Sequence, residues 1–216
     1  TITCLDSLFT MPRRRLKALC RRLIDAGSPV SWVCYARTSD LVDLEVAQLM
    51  RDAGCVQVQI GLESGDPTVL ANMDKHCTVE DNARGLENCR KVGITSVVSV
   101  IVGYPGETVD SLERTYRHMA ESPPDFFFLA TFSTRVPGVP VLSAESRDRF
   151  GLRVMETLRS VSPYWVHDTM SCADVGNHVR RLQRRLMEDR VSLDAALFYD
   201  GILGFQPEHR ERLLDY

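Results

Sequence analysis

No stretch of this sequence is long and apolar enough for a membrane helix, which takes about 20 such residues. The best candidate, Val97–Val102, is the length of a strand. An excess of one charge is also missing. The 26 lysines and arginines nearly balance the 29 aspartates and glutamates, for a net charge of −3, so no global attraction to nucleic acid or to an anionic membrane surface is expected. One local basic run, Arg13-Arg14-Arg15 with Lys17, Arg21 and Arg22 behind it, reads as the solvated face of a helix before it reads as a phosphate site. Nucleic acid is therefore not an expected partner. No GxxxxGK[ST] occurs, which removes a Walker-type nucleotide site.

Close cysteine spacings are absent too. The seven cysteines (Cys4, Cys20, Cys34, Cys55, Cys77, Cys89 and Cys172) are odd in number and scattered. Such a set is not a disulfide framework, and without paired knuckles it is not a self-contained zinc site. Cys4, Cys34 and Cys55 lie in or beside apolar runs and read as buried free thiols. The start shows neither a leader nor a transit-peptide pattern, and it opens on Thr1 with an apolar run at once. The expectation is a cytoplasmic protein, and a fragment or processed chain.

What is present is an alternation of strand and helix signals. Strands are expected at Ile2–Leu5, Ser31–Ala36, Val56–Leu62, Thr95–Val102 and Phe126–Phe132. Between them lie amphipathic segments: one from near Pro12, one over Asp43–Ala53, a short one reaching Met73, one over Val79–Lys91 and one over Val109–Glu121. Near-continuous apolar strands separated by such helices are what a helix-covered parallel sheet requires. Right-handed crossovers curl such a series into an open sheet or a barrel. Beyond Pro137 the pattern changes. Ala144–Ser160, Ala173–Asp189 and Leu193–Leu203 read as helix with no convincing strand, so a boundary is expected near residue 140, between 1–140 and a helical cap over 141–216.

Ligands of parallel α/β folds bind at the carboxyl ends of the strands. Those ends read Asp6-Ser7, Arg37-Thr38-Ser39-Asp40, Gly61-Leu62-Glu63-Ser64-Gly65, Gly103-Tyr104-Pro105-Gly106-Glu107-Thr108 and Thr131-Phe132-Ser133-Thr134-Arg135. Each has a plain structural explanation when taken singly. Glu107 suits the positive end of the next helix, Gly65 and Gly106 suit turns, and Asp40 suits a helix cap.

Together the ends resemble those of radical S-adenosylmethionine (SAM) enzymes, in particular the cobalamin-dependent branch that includes methyltransferases. The resemblance rests on Asp6-Ser7-Leu8-Phe9, Trp32 through Arg37, and Gly61-Leu62-Glu63-Ser64-Gly65 with Met73 and Lys75 after it. Gly103-Tyr104-Pro105-Gly106-Glu107-Thr108 and Trp165-Val166-His167-Asp168-Thr169-Met170 complete it, over about residues 1–172.

The resemblance implies an α/β fold built as a partial TIM-type (β/α)6 barrel. Members bind a [4Fe–4S] cluster through a CxxxCxxC loop after the first strand, and the cluster cleaves SAM to a 5′-deoxyadenosyl radical. That loop is not in this sequence. The five strands therefore correspond to the family's second to sixth, with the first expected upstream and no metal ligands in this chain. By the same resemblance Glu63 and Ser64 contact the ribose or methionine part of SAM, Arg37 receives its carboxylate, and Gly61, Gly103 and Pro105 lie against it. Tyr35, Tyr104 and Arg135 point to substrate or cobalamin. Lys75 reads as a structural salt-bridge partner, and His167 as either a substrate or cofactor contact or a packing histidine beside Trp165.

The implied whole is a methyltransferase of specialised metabolism using SAM, a [4Fe–4S] cluster and cobalamin. It would act on a small-molecule or peptide substrate with a flavodoxin- or ferredoxin-type reductant. Three other readings stay open: a radical SAM enzyme without cobalamin, a degenerate barrel that binds SAM or a partner without radical chemistry, and an aldolase-like barrel.

Overall fold

The computed structural model describes residues 1–155 and 164–195. Six strands, numbered along the chain, form one all-parallel sheet. They are β1 (Ile2–Thr3), β2 (Trp32–Ala36), β3 (Cys55–Glu63), β4 (Thr95–Val102), β5 (Phe126–Thr131) and β9 (Leu193–Asp194), adjacent in that order. Every connection crosses over through helix: α1 (Arg13–Asp25) after β1, α2 (Thr38–Leu41) and α3 (Leu44–Asp52) after β2, α4 (Pro67–Asn72) and α5 (Val79–Val92) after β3, and α6 (Val109–Glu121) after β4. Among the described residues no helix is long and apolar enough to cross a membrane.

The helix starts are written in the sequence. Asp43 accepts from the Glu45 amide, Asp66 from that of Val69, and Thr78 and Thr108 form reciprocal capping pairs with Asp81 and Ser111, satisfying amides that no turn of helix can. Gly93, at φ 73°, ends α5 in the left-handed conformation that glycine adopts without strain.

Strand alternation divides the sheet into two faces. Cys34 and Ala36, Val58, Ile60 and Leu62, Val98, Val100 and Val102, and Phe127 pack with Leu16, Met50, Leu86 and Met119 of the helices in one buried cluster. Replacing a fully buried member such as Leu62 by alanine is expected to cost about 2–5 kcal/mol. The intervening residues Tyr35, Gln59, Gly61, Ser99 and Phe128 face the other way and line a cavity.

The stretch beyond residue 140 departs from the expected succession of helices. The helix at Ala144 (α7, Ala144–Phe150) stops at Gly151, which is left-handed at φ 60°. Then β6 (Arg153–Met155), β7 (Tyr164–His167) and β8 (Met170–Ser171) form a small antiparallel sheet. The expected long helix is present as α8 (Cys172–Glu188), but Leu193 begins β9, which extends the main sheet beside β5. These strands of two to four residues are too short to show a period of their own. The expected helix over 156–160 and over 196–203 falls outside the described residues. Phe150, Leu152, Trp165, Met170, Val175, Leu182 and Leu186 belong to the same buried cluster as the main sheet.

Candidate functional site

Two constructions meet at the carboxyl ends of the central strands. The first is built on β3. Its register against β4 shifts between Gly61 and Glu63, and Glu63 takes a left-handed φ of 65°, which costs a non-glycine residue about 1–3 kcal/mol. This turn folds the carboxylate back over Gly61. Lys75 Nζ donates to Glu63 Oε1 at 3.0 Å, with both side chains largely buried. A Cβ on Gly61 would lie 2.3 Å from Glu63 Oε1 and 2.8 Å from Lys75 Nζ, so the missing side chain is what lets the ion pair lie close to the sheet. Glu63 Oε2 has no hydrogen bond among the described residues. Beside the pair opens a cavity of about 690 Å3, lined by Tyr35, Gln59, Gly61, Ser99 and Phe128 from the sheet and closed by Gln183 and Asp194. Its size is that of a small-molecule or cofactor site, and so is its mixture of aromatic surface with a few amides and hydroxyls.

Ser64 lies one residue further on and does not share this opening. It is fully buried, its hydroxyl 3.1 Å from Thr115 Oγ1 and accepting from the Asp66 amide. Because Thr115 Oγ1 itself donates to the Ser111 carbonyl and accepts from the Gly65 amide, the Ser64 hydroxyl donates to Thr115. Asp66, 1% exposed, caps α4 and pairs with Arg114. The Ser64-Gly65-Asp66 turn is thus bolted to α6.

The second construction is the turn after β4. Gly103, at φ 88°, has Val175 and Trp165 in the space of a side chain: a Cβ would come within 2.4 Å of Val175 Cγ2. The Glu107 carboxylate is completely enclosed. Oε2 accepts from the Gly103 amide at 2.5 Å, Oε1 has no partner among the described residues, and burial pushes its pKa up to about 8. At neutral pH this side chain is therefore mostly uncharged. Pro105 is buried, and Tyr104 turns its ring edge to Phe132 while its hydroxyl donates to the Asn72 carbonyl at 3.3 Å.

From Tyr104 an aromatic series continues through Phe132 and Trp165 to His167, whose ring stacks on Trp165 at 5.3 Å. His167 is buried, and Nε2 lies 3.2 Å from the Gly103 carbonyl. The Thr169 amide donates to Nδ1, which assigns the proton to Nε2. Desolvation lowers the imidazole pKa, so this is a neutral, packed histidine. Its position meets the packing alternative: it faces the β4 turn and Trp165.

The structure therefore puts Tyr35 and Gly61 in the cavity lining with Glu63 folded over Gly61, and Gly103, Tyr104, Pro105 and His167 at the β4 end. Arg37 is exposed at the start of α2, with no side-chain hydrogen bond among the described residues. Arg135 is exposed in the segment after β5. Gln59, Ser99 and Phe128 were absent from the expected site. Alternation along β3, β4 and β5 from Gly61 was the signal that could have found them.

A [4Fe–4S] cluster does not fit the residues present. All seven cysteines are free, and among the described residues no three of histidine, cysteine, aspartate and glutamate are grouped to hold a metal. The cavity has the volume of a cofactor-sized ligand, and the Glu63–Lys75 pair covers the backbone at Gly61 beside it.

The profile of the Radical SAM superfamily matches residues 9–119, just over half of the 216. The chain belongs to the radical SAM superfamily. The matched residues contain α1 through most of α6, with the Glu63 turn and residues 103–107, while Phe128, Phe132, Trp165, Val175, Gln183 and Asp194 lie beyond them. Among curated proteins, it is 28% identical over 137 residues to an uncharacterised methyltransferase of Pyrococcus horikoshii, covering 63% of this chain and 29% of that protein. It is 27% identical over 190 residues to an anaerobic magnesium-protoporphyrin IX monomethyl ester cyclase of Rubrivivax gelatinosus, covering 87% and 34%. This radical SAM chain thus spans about a third of the length of these relatives. Among solved structures it is similar to the radical SAM methyltransferase TsrM of Kitasatospora setae, with a TM-score of 0.54 and 25% identity over 59% of this chain and 26% of that one. That structure holds tryptophan and a SAM analogue, and a second one of the same enzyme holds cobalamin and a [4Fe–4S] cluster.

Proposed function

We propose that this chain is the SAM-holding part of a partial TIM-type barrel in a radical SAM methyltransferase that uses cobalamin, its cluster ligands lying outside these residues. The observation that carries the reading is the Glu63 carboxylate folded over Gly61, a residue in the lining of a cavity of about 690 Å3, on a strand of the superfamily match. Glu63 is suited to accept the ribose hydroxyls, and Lys75 fixes the carboxylate that does so. The Arg37 guanidinium, with no hydrogen-bond partner among the described residues, suits the methionine carboxylate. By resemblance, adenine would lie at the Val100–Pro105 end of β4, where Ile101 and Tyr104 are the half-buried side chains. When bound, SAM supplies the 5′-deoxyadenosyl radical or a methyl group. The chain's residues orient it and, with the region over 141–216 acting as a cap, keep water away. Similarity to the cobalamin-bound TsrM supports the cofactor, with a small-molecule or peptide substrate on the Tyr35, Tyr104 and Arg135 side and a flavodoxin- or ferredoxin-type reductant. We place the protein in the cytoplasm.

The test is anaerobic reconstitution of the full-length protein with iron, sulfide and cobalamin. Roughly four irons per chain, 5′-deoxyadenosine on reduction and methyl transfer from SAM are expected. Iron uptake and SAM cleavage without a cobalamin spectrum would remove the cobalamin assignment. Absence of iron and of SAM cleavage, with or without SAM binding, would leave the non-catalytic barrel. The similarity to a cyclase favours a second reading, a carbon-bond-forming radical SAM enzyme. Product analysis showing ring closure without methyl transfer would establish it.

A further inference from the structure

Three alternate residues of the β7–β8 hairpin, Trp165 and His167 on β7 and Thr169 in the turn after it, each reach a different backbone carbonyl at the sheet's carboxyl edge. Trp165 Nε1 donates to the Phe132 carbonyl just past β5 at 3.1 Å, and His167 Nε2 to Gly103 at 3.2 Å. Thr169 Oγ1 donates to Glu107 at 2.6 Å. The Asp168 amide between them donates to the Phe150 carbonyl at 3.0 Å. The turn of residues 103–107 is thereby gripped at its first and last carbonyls from outside. Inside, the Glu107 carboxylate accepts from the Gly103 amide. Packing agrees, since Trp165 and Val175 fill the space over Gly103 that a side chain would occupy.

We propose that Thr169 and His167 are positioning residues for SAM. They set the conformation of the 103–107 turn, against which the adenine end lies in the functional reading above, without touching the ligand themselves. This deepens that reading and rests on it. A turn whose hydrogen bonds all ran within itself would bind equally well whatever the strap did. Here both terminal carbonyls depend on residues some 60 positions later in the chain, so part of the binding site's order is supplied from beyond the superfamily match, which ends at residue 119.

Thr169→Val tests it, since valine keeps the shape, loses the hydroxyl, and stands at an exposed position where folding tolerates it. In the full-length reconstituted protein the dissociation constant for SAM should rise about five-fold, the factor for one neutral hydrogen bond. Amide hydrogen exchange over residues 103–107 should quicken, and Thr169→Ser should restore both. Thr78→Ala, which removes a helix cap elsewhere, is the stability control and should leave SAM affinity unchanged. The inference is overturned if Thr169→Val binds SAM as the wild type does, if Thr78→Ala weakens binding equally, or if the serine variant restores nothing. Failure of the functional reading shows separately, as a wild-type protein that binds no SAM, and it takes the positioning role with it.

Discussion

Glu63 and Lys75 meet at 3.0 Å directly above the one residue of β3, Gly61, that has no side chain to separate them from the sheet. The pair's geometry predicts the outcome of Gly61→Ala. The new methyl would collide with the far ends of two flexible side chains rather than with backbone, so the fold can yield by swinging the pair outward. The expected result is a melting temperature within a few degrees of wild type and a SAM affinity at least several-fold weaker. Thermal unfolding alongside equilibrium binding checks it, and intact affinity would remove Glu63 from the binding site.

Gly103 makes the opposite prediction. Its φ of 88° already excludes a comfortable side chain, and a Cβ there would press within 2.4 Å of Val175 Cγ2 and 2.9 Å of the Trp165 ring, both fixed in the core. Gly27, at φ 59° with nothing within 4 Å, pays only the backbone strain. Gly27→Ala should cost about 1 kcal/mol and Gly103→Ala about 3 kcal/mol or more, by urea unfolding. Equal costs would show that the strap is loose enough to move aside.

Glu107 predicts a pH dependence of stability. Its folded pKa of about 8 lies above the ordinary value of 4.5, through burial first, with the Gly103 amide opposing and the nearby Asp66 charge adding a smaller rise. A raised pKa means that the folded state holds the proton more tightly. The stabilisation is complete below pH 4.5 and is lost as pH rises through about 8, where both states are ionised, by an amount on the order of several kcal/mol. Glu107→Gln should flatten the decline between these limits and exceed the wild type in stability at pH 8. An unchanged slope would assign the dependence to another group.

The sheet was legible because its signal is repetitive. Apolar strands alternating with amphipathic helices, several of them with a readable cap, fix the parallel order, and Asp43, Thr78 and Gly93 stand where such residues belong. What escaped was either short or non-local. β6 to β8 and β9 are too brief for a period to show, although Gly151 was a stop signal inside the expected helix over 144–160. The left-handed turn of Glu63 depends on a register shift that no single strand displays. His167 could be placed beside Trp165 but not against the Gly103 carbonyl, 64 residues away. Lys75 was read as a salt-bridge partner, and its partner is Glu63.

Ser64 and Glu63 stand side by side in the sequence motif, yet their surroundings separate their roles, and this supports the last prediction. The Ser64 hydroxyl is enclosed, donates to Thr115 and accepts from the Asp66 amide, so it ties the turn after β3 to α6. Ser64→Ala removes both bonds and leaves the Asp66 amide buried without a partner. It should lower unfolding free energy by about 1–3 kcal/mol. SAM affinity at a temperature well below the transition should stay within two-fold, because Asp66 retains its cap on α4 and its pairing with Arg114. Glu63→Gln should do the reverse. Glutamine keeps the size of the side chain and an oxygen for Lys75 but loses the charge, so stability should fall by about 1 kcal/mol or less, while SAM binds several-fold more weakly. Measuring both quantities on both variants separates the support of the site from its binding surface. A SAM affinity lost with Ser64→Ala and kept with Glu63→Gln would exchange the two roles.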